Sequence, residues 1–381
     1  MSRIWNRFKK LTAIDSLSYH EREICDTLKE EFAALGIEAY EDNVGEQLVP
    51  YYKDNDQITP PEKLCGNLYG YVSGAIDKPP LLLSAHMDTV GPGIGKKAIL
   101  NEDGVITSDG TTILGGDDVA GITVILEAIE RLKERNTPHR PIEILFTVSE
   151  EKNCLGSALA DYSKLQSKEG YALDLGGPIG TAANAAPTIL AYKVQFHGRA
   201  AHAAAEPDKG IHAIKTAANA ISRIELGRPE PDVTANIGRF WGGGATNIIP
   251  DECTFLGEIR SHSHDKVIKQ WEIILEILEE EAKKTGATFE ATKNIHVNAY
   301  STPMDSPVIK RFVSACERAG VEPDLVPTFG GSDQNNLSKN GIEGIVISCA
   351  LYDAHSTKEY TKLDELEKCV ELLMEVIVDD I

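Results

Sequence analysis

The period of the hydrophobic pattern changes several times along the chain, and each change marks an element. Apolar residues recur at helical spacing through "MSRIWNRFKKLTAID", an amphipathic surface helix that lacks the uninterrupted apolar segment of a signal peptide. A second helix is predicted over 19–35, with Ser18 as its N-cap and Gly36 just past its end. Extended apolar runs follow at 67–72 and 80–86, and "LNEDGVI" (100–106) reads as a hairpin turn. From Asp118 to about Arg135 the helical period returns, at Val119, Ile122, Ile125, Ile129 and Leu132. "IEILFTV" (142–148) is a continuous apolar strand, followed by a short helix and the strand "GYALDL" (170–175). Strands alternating with helices imply a mostly parallel, helix-covered sheet.

Near Pro187 the pattern switches. Strand (189–197), helix (209–226), two strands (232–240, 252–260), a long charged helix (265–285) and a last strand (287–297) give the strand-helix-strand-strand-helix-strand order of the split βαβ unit. After Tyr300 the α/β pattern resumes, with a helix from about Pro307, the strand "EGIVIS" (343–348) and a closing helix from about Leu363. The predicted architecture is therefore α/β. A discontinuous first domain, 1–187 and 301–381, receives an inserted α+β, ferredoxin-like domain at 188–300.

A length of 381 residues suits two domains, and 42% apolar residues suffice for two cores. The net charge of -21 makes nucleic acid and anionic membranes poor partners. An acidic surface mostly serves solubility, and it also tolerates cationic metals and substrates that carry an ammonium group. No run approaches the ~20 apolar residues of a membrane span. The seven cysteines are scattered and odd in number, with no Cys-x-x-Cys pair, so reduced thiols in a cytoplasmic protein are expected.

The candidate chemistry lies at strand ends, where open α/β sheets carry their working crevice. "SAHMDTV" ends in His86 and Asp88, which share a strand face, so Asp88 could hydrogen-bond and orient the imidazole. "TVSEE" ends in Glu150 and Glu151, and "ALDLGG" in Asp174. "GGDDVAG" supplies Asp117 and Asp118, and "DAHSTKEY" supplies His355. Each has an ordinary reading by itself: an aspartate N-cap, a solvated loop histidine, an acid pair at a helix start. Together, two histidines and three carboxylates suit two divalent ions that share a carboxylate at ~3.5–4 Å spacing. Two adjacent glutamates then make sense. One ligates an ion that offsets their repulsion, and the other stays free to take a proton from a water acidified to a pKa of ~7.

In order and type, His-x-Asp, Gly-Gly-Asp-Asp, Ser-Glu-Glu, Leu-Asp and a late Ala-His-Ser resemble the dinuclear zinc metallopeptidases. That family includes peptidase T (tripeptide aminopeptidase), carboxypeptidase G, aminoacylases and succinyl-diaminopimelate desuccinylase. "LDLGG", "FGGSD" and "HSTKEY" look nearest to the peptidase T branch. The resemblance spans nearly the whole chain. It implies that His86, Asp117 and Asp174 hold one metal and Asp117, Glu151 and His355 the other. It makes Glu150 the general base, with Asp88 orienting His86 and Asp118 outside the ligand set. In the inserted domain it implies an oxyanion role for His202 in "GRAAHAA", and substrate contacts for Asn247 and Arg260. Ser332, in the glycine-rich "FGGSDQNN", is a further substrate candidate. Val119 and Ser149 depart from the family's usual residues without removing a ligand.

The implied protein is a two-metal exopeptidase, with zinc first and cobalt or manganese as substitutes. It would remove the N-terminal residue of tripeptides as a cytoplasmic homodimer, with the inserted domain as lid and dimer contact. The alternatives are a carboxypeptidase, dipeptidase or N-acyl amino acid deacylase on the same scaffold, and a non-catalytic, metal-dependent scaffold protein.

Overall fold

The fully apolar runs become the middle of one sheet. The computed structural model describes residues 2–53, 59 and 61–378. Two units emerge: Met1–Ala185 with Ser301–Thr328 and Ser332–Ile381, and Ala186–Tyr300 with Phe329–Gly331.

In the first unit, four parallel strands lie side by side in the order Ile142–Thr147, Leu81–His86, Glu169–Gly176, Glu343–Leu351. Their apolar runs are continuous because helices cover them, among them Gly116–Arg135 and Leu363–Val378. Parallel pairing brings all four carboxyl ends to one edge, with His86 opposite Thr147. Antiparallel strands flank this centre. Leu68–Val72 and then Glu38–Glu41 lie on one side, and Thr181–Ala186 on the other. The hairpin forms between Ile99–Leu100 and Val105–Thr107, and Tyr360–Lys362 adds a third strand to it.

The sequence misplaces two features of the N-terminal region. The first helix, Arg3–Thr12, is no mere surface element, because Ile4, Trp5, Phe8 and Leu11 are all fully or almost fully buried. The second helix begins at Arg22, not at 19, and Ser18 is not its cap. Tyr19 takes φ 73, which stops the helix from reaching back. Gly36 does follow the helix, with φ +63, as a left-handed terminator.

Glu127 pins the first helix down. It is 1% exposed, and Arg7 (2.7 Å), Arg3 (2.9 Å) and Arg131 (2.8 Å) all donate to it. Breaking one side of a buried ion pair costs roughly 3–5 kcal/mol. Here Arg7 keeps Glu130 and Arg131 keeps Glu367. Glu127→Gln is therefore expected to lower unfolding free energy by about 2 kcal/mol in urea titrations. A change within error would make the cluster decorative.

The second unit is a five-stranded antiparallel sheet in the order Gly227–Glu230, Val233–Gly242, Glu252–Ser261, Thr188–His197, Thr288–Val297. Helices Ala213–Arg223 and His264–Thr285 pack on it, around a core that includes Leu190, Phe196, Phe255 and Trp271. The split βαβ order holds. The short Gly227–Glu230 strand is an addition the pattern did not signal, and Pro207–Lys209 is a separate turn before the shorter helix.

Candidate metal centre

Five segments, two of them strands (Leu81–His86 and Glu169–Gly176), deliver five side chains to one place. His86 Nε2 lies 3.1 Å from Asp117 Oδ1 and 3.6 Å from Asp174 Oδ1. His355 Nε2 lies 3.1 Å from Asp117 Oδ2 and 2.8 Å from Glu151 Oε1. Asp117 thus stands between the two imidazoles and offers one oxygen to each. His86, Asp117 and Asp174 form one potential ligand trio, and Asp117, Glu151 and His355 another, with ligand atoms within 4.8 Å of one another in each.

Two details show that these residues fit cations. The Asp88 carbonyl lies 2.9 Å from His86 Nδ1, and a carbonyl only accepts, so Nδ1 carries the proton. Nε2 then faces the Asp117 and Asp174 carboxylates. Glu151 Oε1 is buried and has no hydrogen-bond partner, despite its short approach to His355. Imidazole nitrogens and carboxylate oxygens converging at these distances suit a cation, which would take the place of the protons that otherwise lie between them.

The electrostatics agree. Burial pushes the Asp174 carboxyl up to about 7. Burial, with Asp174 nearby, raises Glu150 well above the usual carboxylate range. The close approach of the Asp117 and Glu151 carboxylates lifts the His355 imidazole to about 10. Burial disfavours a charged His86, yet Asp117, Asp174 and Asp88 outweigh it and raise the ring well above its ordinary value. A site this rich in negative charge favours positive charge of any origin.

The surrounding contacts correct the reading of Asp88. Its carboxylate lies 3.5 Å from His86 Nδ1, while its carbonyl is the nearer acceptor. The carboxylate itself accepts the Glu150 N–H (2.9 Å), the Glu151 N–H (3.2 Å) and the Ser18 hydroxyl (2.7 Å). Asp88 therefore fixes both the imidazole and the two glutamates. Asp118 is fully buried and accepts from the His86 and Gly121 N–H groups, so it supports the loop from behind. A Cβ on Gly121 would come within 2.3 Å of the Leu173 carbonyl, which explains the glycine after "DDVA".

Three nearby residues, Glu21, Cys154 and Glu359, escaped the sequence reading, while Asp333 was a candidate substrate contact beside Ser332. Glu21 accepts the Ser149 N–H at 2.9 Å and its hydroxyl at 3.1 Å, bracing a residue held at φ 52. The Cys154 thiol donates to Glu150 Oε1 at 3.2 Å. Buried Asp333 accepts from the Thr147 and Ser157 hydroxyls. Glu359 accepts the Gly115 and Asp117 N–H groups. Of these, only Glu359 carried a local signal, four residues after His355 in a segment that looks solvated.

The other proposed site residues have local surroundings. Ser332 is 6% exposed and opens the Asp333–Lys339 helix, where Asn335 Oδ1 accepts its N–H at 3.1 Å. In the second unit, the exposed His202 accepts the Ala204 and Ala205 N–H groups through Nδ1. Its neighbour Ala203 donates to the Asn247 carbonyl at 2.9 Å. The Arg260 guanidinium is engaged by Glu258 (2.8 and 3.0 Å) and the Phe329 carbonyl (2.8 Å). Cys25, Glu41 and Cys65 also cluster. Arg22 and Lys29 already neutralise Glu41, which leaves that cluster no net attraction for a cation.

Residues 82–379 match the model of Peptidase family M20/M25/M40. The chain belongs to that family. It is 36% identical over 375 residues to the uncharacterized protein YqjE of Bacillus subtilis, covering 98% of this chain and 97% of that one. A crystal structure of aminopeptidase PepT from Bacillus cereus is 36% identical, covers 98% and 97% of the two chains, and superposes with a TM-score of 0.89. A tripeptidase from Staphylococcus aureus is 34% identical with the same coverage and a TM-score of 0.92. The expected fold class and the resemblance to the peptidase T branch are borne out, and the chain is a hydrolase of a metallopeptidase family. Among the described residues no helix is long and apolar enough to cross a membrane.

Proposed function

We propose that this protein is a two-metal aminopeptidase that removes the N-terminal residue of tripeptides. The observation that carries the reading is Asp117, one carboxylate set between His86 and His355 with Asp174 and Glu151 on either side. His86, Asp117 and Asp174 would hold one ion and Asp117, Glu151 and His355 the other. Divalent ions bound there would supply positive charge to polarise the scissile carbonyl and acidify a water. Zinc suits the nitrogen and oxygen donors, with cobalt or manganese as substitutes.

The chain's own residues handle the proton. Glu150 is left outside both trios, with Oε1 held by the Cys154 thiol. It takes the proton of the attacking water and returns it to the leaving amine. Asp88 and Glu21 keep the glutamate pair in place through the backbone of residues 149–151. His202, Asn247 and Arg260 are the proposed substrate contacts of the second unit. To meet a peptide carboxylate, Arg260 must exchange its bond to Glu258.

The relatives named aminopeptidase and tripeptidase support the choice of substrate. The test is a panel of one tripeptide, its N-acetyl form and its C-terminal amide, each with zinc, cobalt and manganese supplied. Hydrolysis of the free and amidated peptides with loss on acetylation is expected. Turnover of N-acyl amino acids instead would transfer the site to a deacylase. The cytoplasmic setting draws on seven free, buried cysteines. The homodimer draws on the family resemblance alone, and a monomer in sedimentation analysis would remove it.

A further inference from the structure

Two ligand-bearing segments meet at one buried carboxylate outside the ligand set. Glu359 is 1% exposed. Its Oε2 accepts the Gly115 N–H at 2.8 Å, and its Oε1 accepts the Asp117 N–H at 2.9 Å. Four residues earlier the same segment carries His355, whose Nε2 lies 3.1 Å from Asp117 Oδ2. One side chain thus ties the loop that supplies the shared carboxylate to the loop that supplies an imidazole.

Neither loop is held by regular structure at these points. Gly115 sits at φ 75, and Asp117 and Asp118 depart from helical geometry although a helix continues after them. The His355 segment is closed at its neck, where Tyr352 and Tyr360 exchange backbone hydrogen bonds at 3.0 Å each way. Glu359 lies just inside that neck, so its position fixes where the loop stands against Gly115–Asp117. The fit around the loop is tight. A Cβ on Gly116 would come within 2.6 Å of Leu351 and 3.1 Å of Glu359 Oε1, and one on Gly115 within 2.7 Å of Lys96. The paired glycines before Asp117 are what allow the backbone to lie against this carboxylate.

We propose that Glu359 is a positioning residue for metal binding, which keeps Asp117 and His355 in mutual register before any ion arrives. It touches neither an ion nor a reacting atom. The inference rests on the ligand assignment above. Because Asp117 belongs to both trios, displacing its backbone weakens both.

The test is a zinc titration of the metal-free, full-length protein against a chromophoric chelator, for the parent, Glu359→Gln and Glu359→Ala. Loss of a group that orients metal ligands typically costs 10–100-fold in affinity. About that loss is expected for Ala, and a smaller one for Gln, which keeps one acceptor. Peptide hydrolysis is expected to return to near the parental kcat, with KM unchanged, once zinc saturates. Glu127→Gln serves as a control that lowers stability without moving zinc affinity. If the Ala variant does not fold, Gln alone decides. Unchanged zinc affinity in the Glu359 variants, or a loss no greater than in Glu127→Gln, overturns the proposal. So does an activity that stays low at full zinc occupancy. If His86→Ala and Asp117→Asn bind zinc like the parent, the ligand assignment has failed instead.

Discussion

Glu150→Gln is expected to lower kcat by about 10²- to 10⁴-fold, the range that a positioned proton-transfer group contributes, while zinc content stays at the parental level. The substitution keeps shape and volume and removes only the capacity to take a proton. Glu150 follows a buried strand and belongs to neither trio that contains Asp117, although its carboxylate also lies near His86 and Glu151. Its backbone N–H is fixed by Asp88 and its Oε1 by Cys154. An amide at this position can still accept from the thiol, so the local structure should persist. Single-turnover kinetics on a tripeptide, beside metal analysis of the same sample, checks both halves. A variant that retains metal and hydrolyses near the parental rate would remove Glu150 as the proton carrier. Loss of metal together with rate would make Glu150 a ligand and move the base elsewhere.

Asp117→Ala should have the second large effect, loss of both ions rather than one. Each Asp117 oxygen faces a different imidazole at 3.1 Å. Alanine removes both oxygens at once, so each trio loses a ligand, whereas an amide would keep one oxygen for one of them. His355→Ala, by comparison, removes a ligand from one trio only and should leave one ion bound through His86, Asp117 and Asp174. Metal stoichiometry after dialysis separates the outcomes. Equal losses in the two variants would mean that Asp117 does not serve two ions.

The five clustered side chains were legible in the sequence, four of them because each ends or follows a long apolar run and Asp117 through the family motif. "PLLLSAH", "IEILFTV" and "GYALDL" identify themselves as buried strands, and the parallel order puts their ends together. Supporting contacts were much less visible. Ser18 looks like an N-cap because serine before an apolar-periodic run usually is one; its hydroxyl instead reaches Asp88, 70 residues away in sequence. Asp88 looked like a partner for an imidazole, and sequence parity gave no sign that it would also hold the N–H groups of Glu150 and Glu151. Glu21 gave no sign of its role, since nothing local tells a buried glutamate that accepts backbone N–H groups from a solvated one. Two of the flanking strands were missed for another reason. "EAYE" is largely exposed, and "TAANAA" has only Thr181 among the β-branched and aromatic residues that mark strands.

The most direct measurement is anomalous diffraction from crystals loaded with zinc. Two ions are expected, one touching His86, Asp117 and Asp174 and the other touching Asp117, Glu151 and His355, with Glu150 touching neither. A single ion, ions held by other residues, or Glu150 among the ligands would contradict the account.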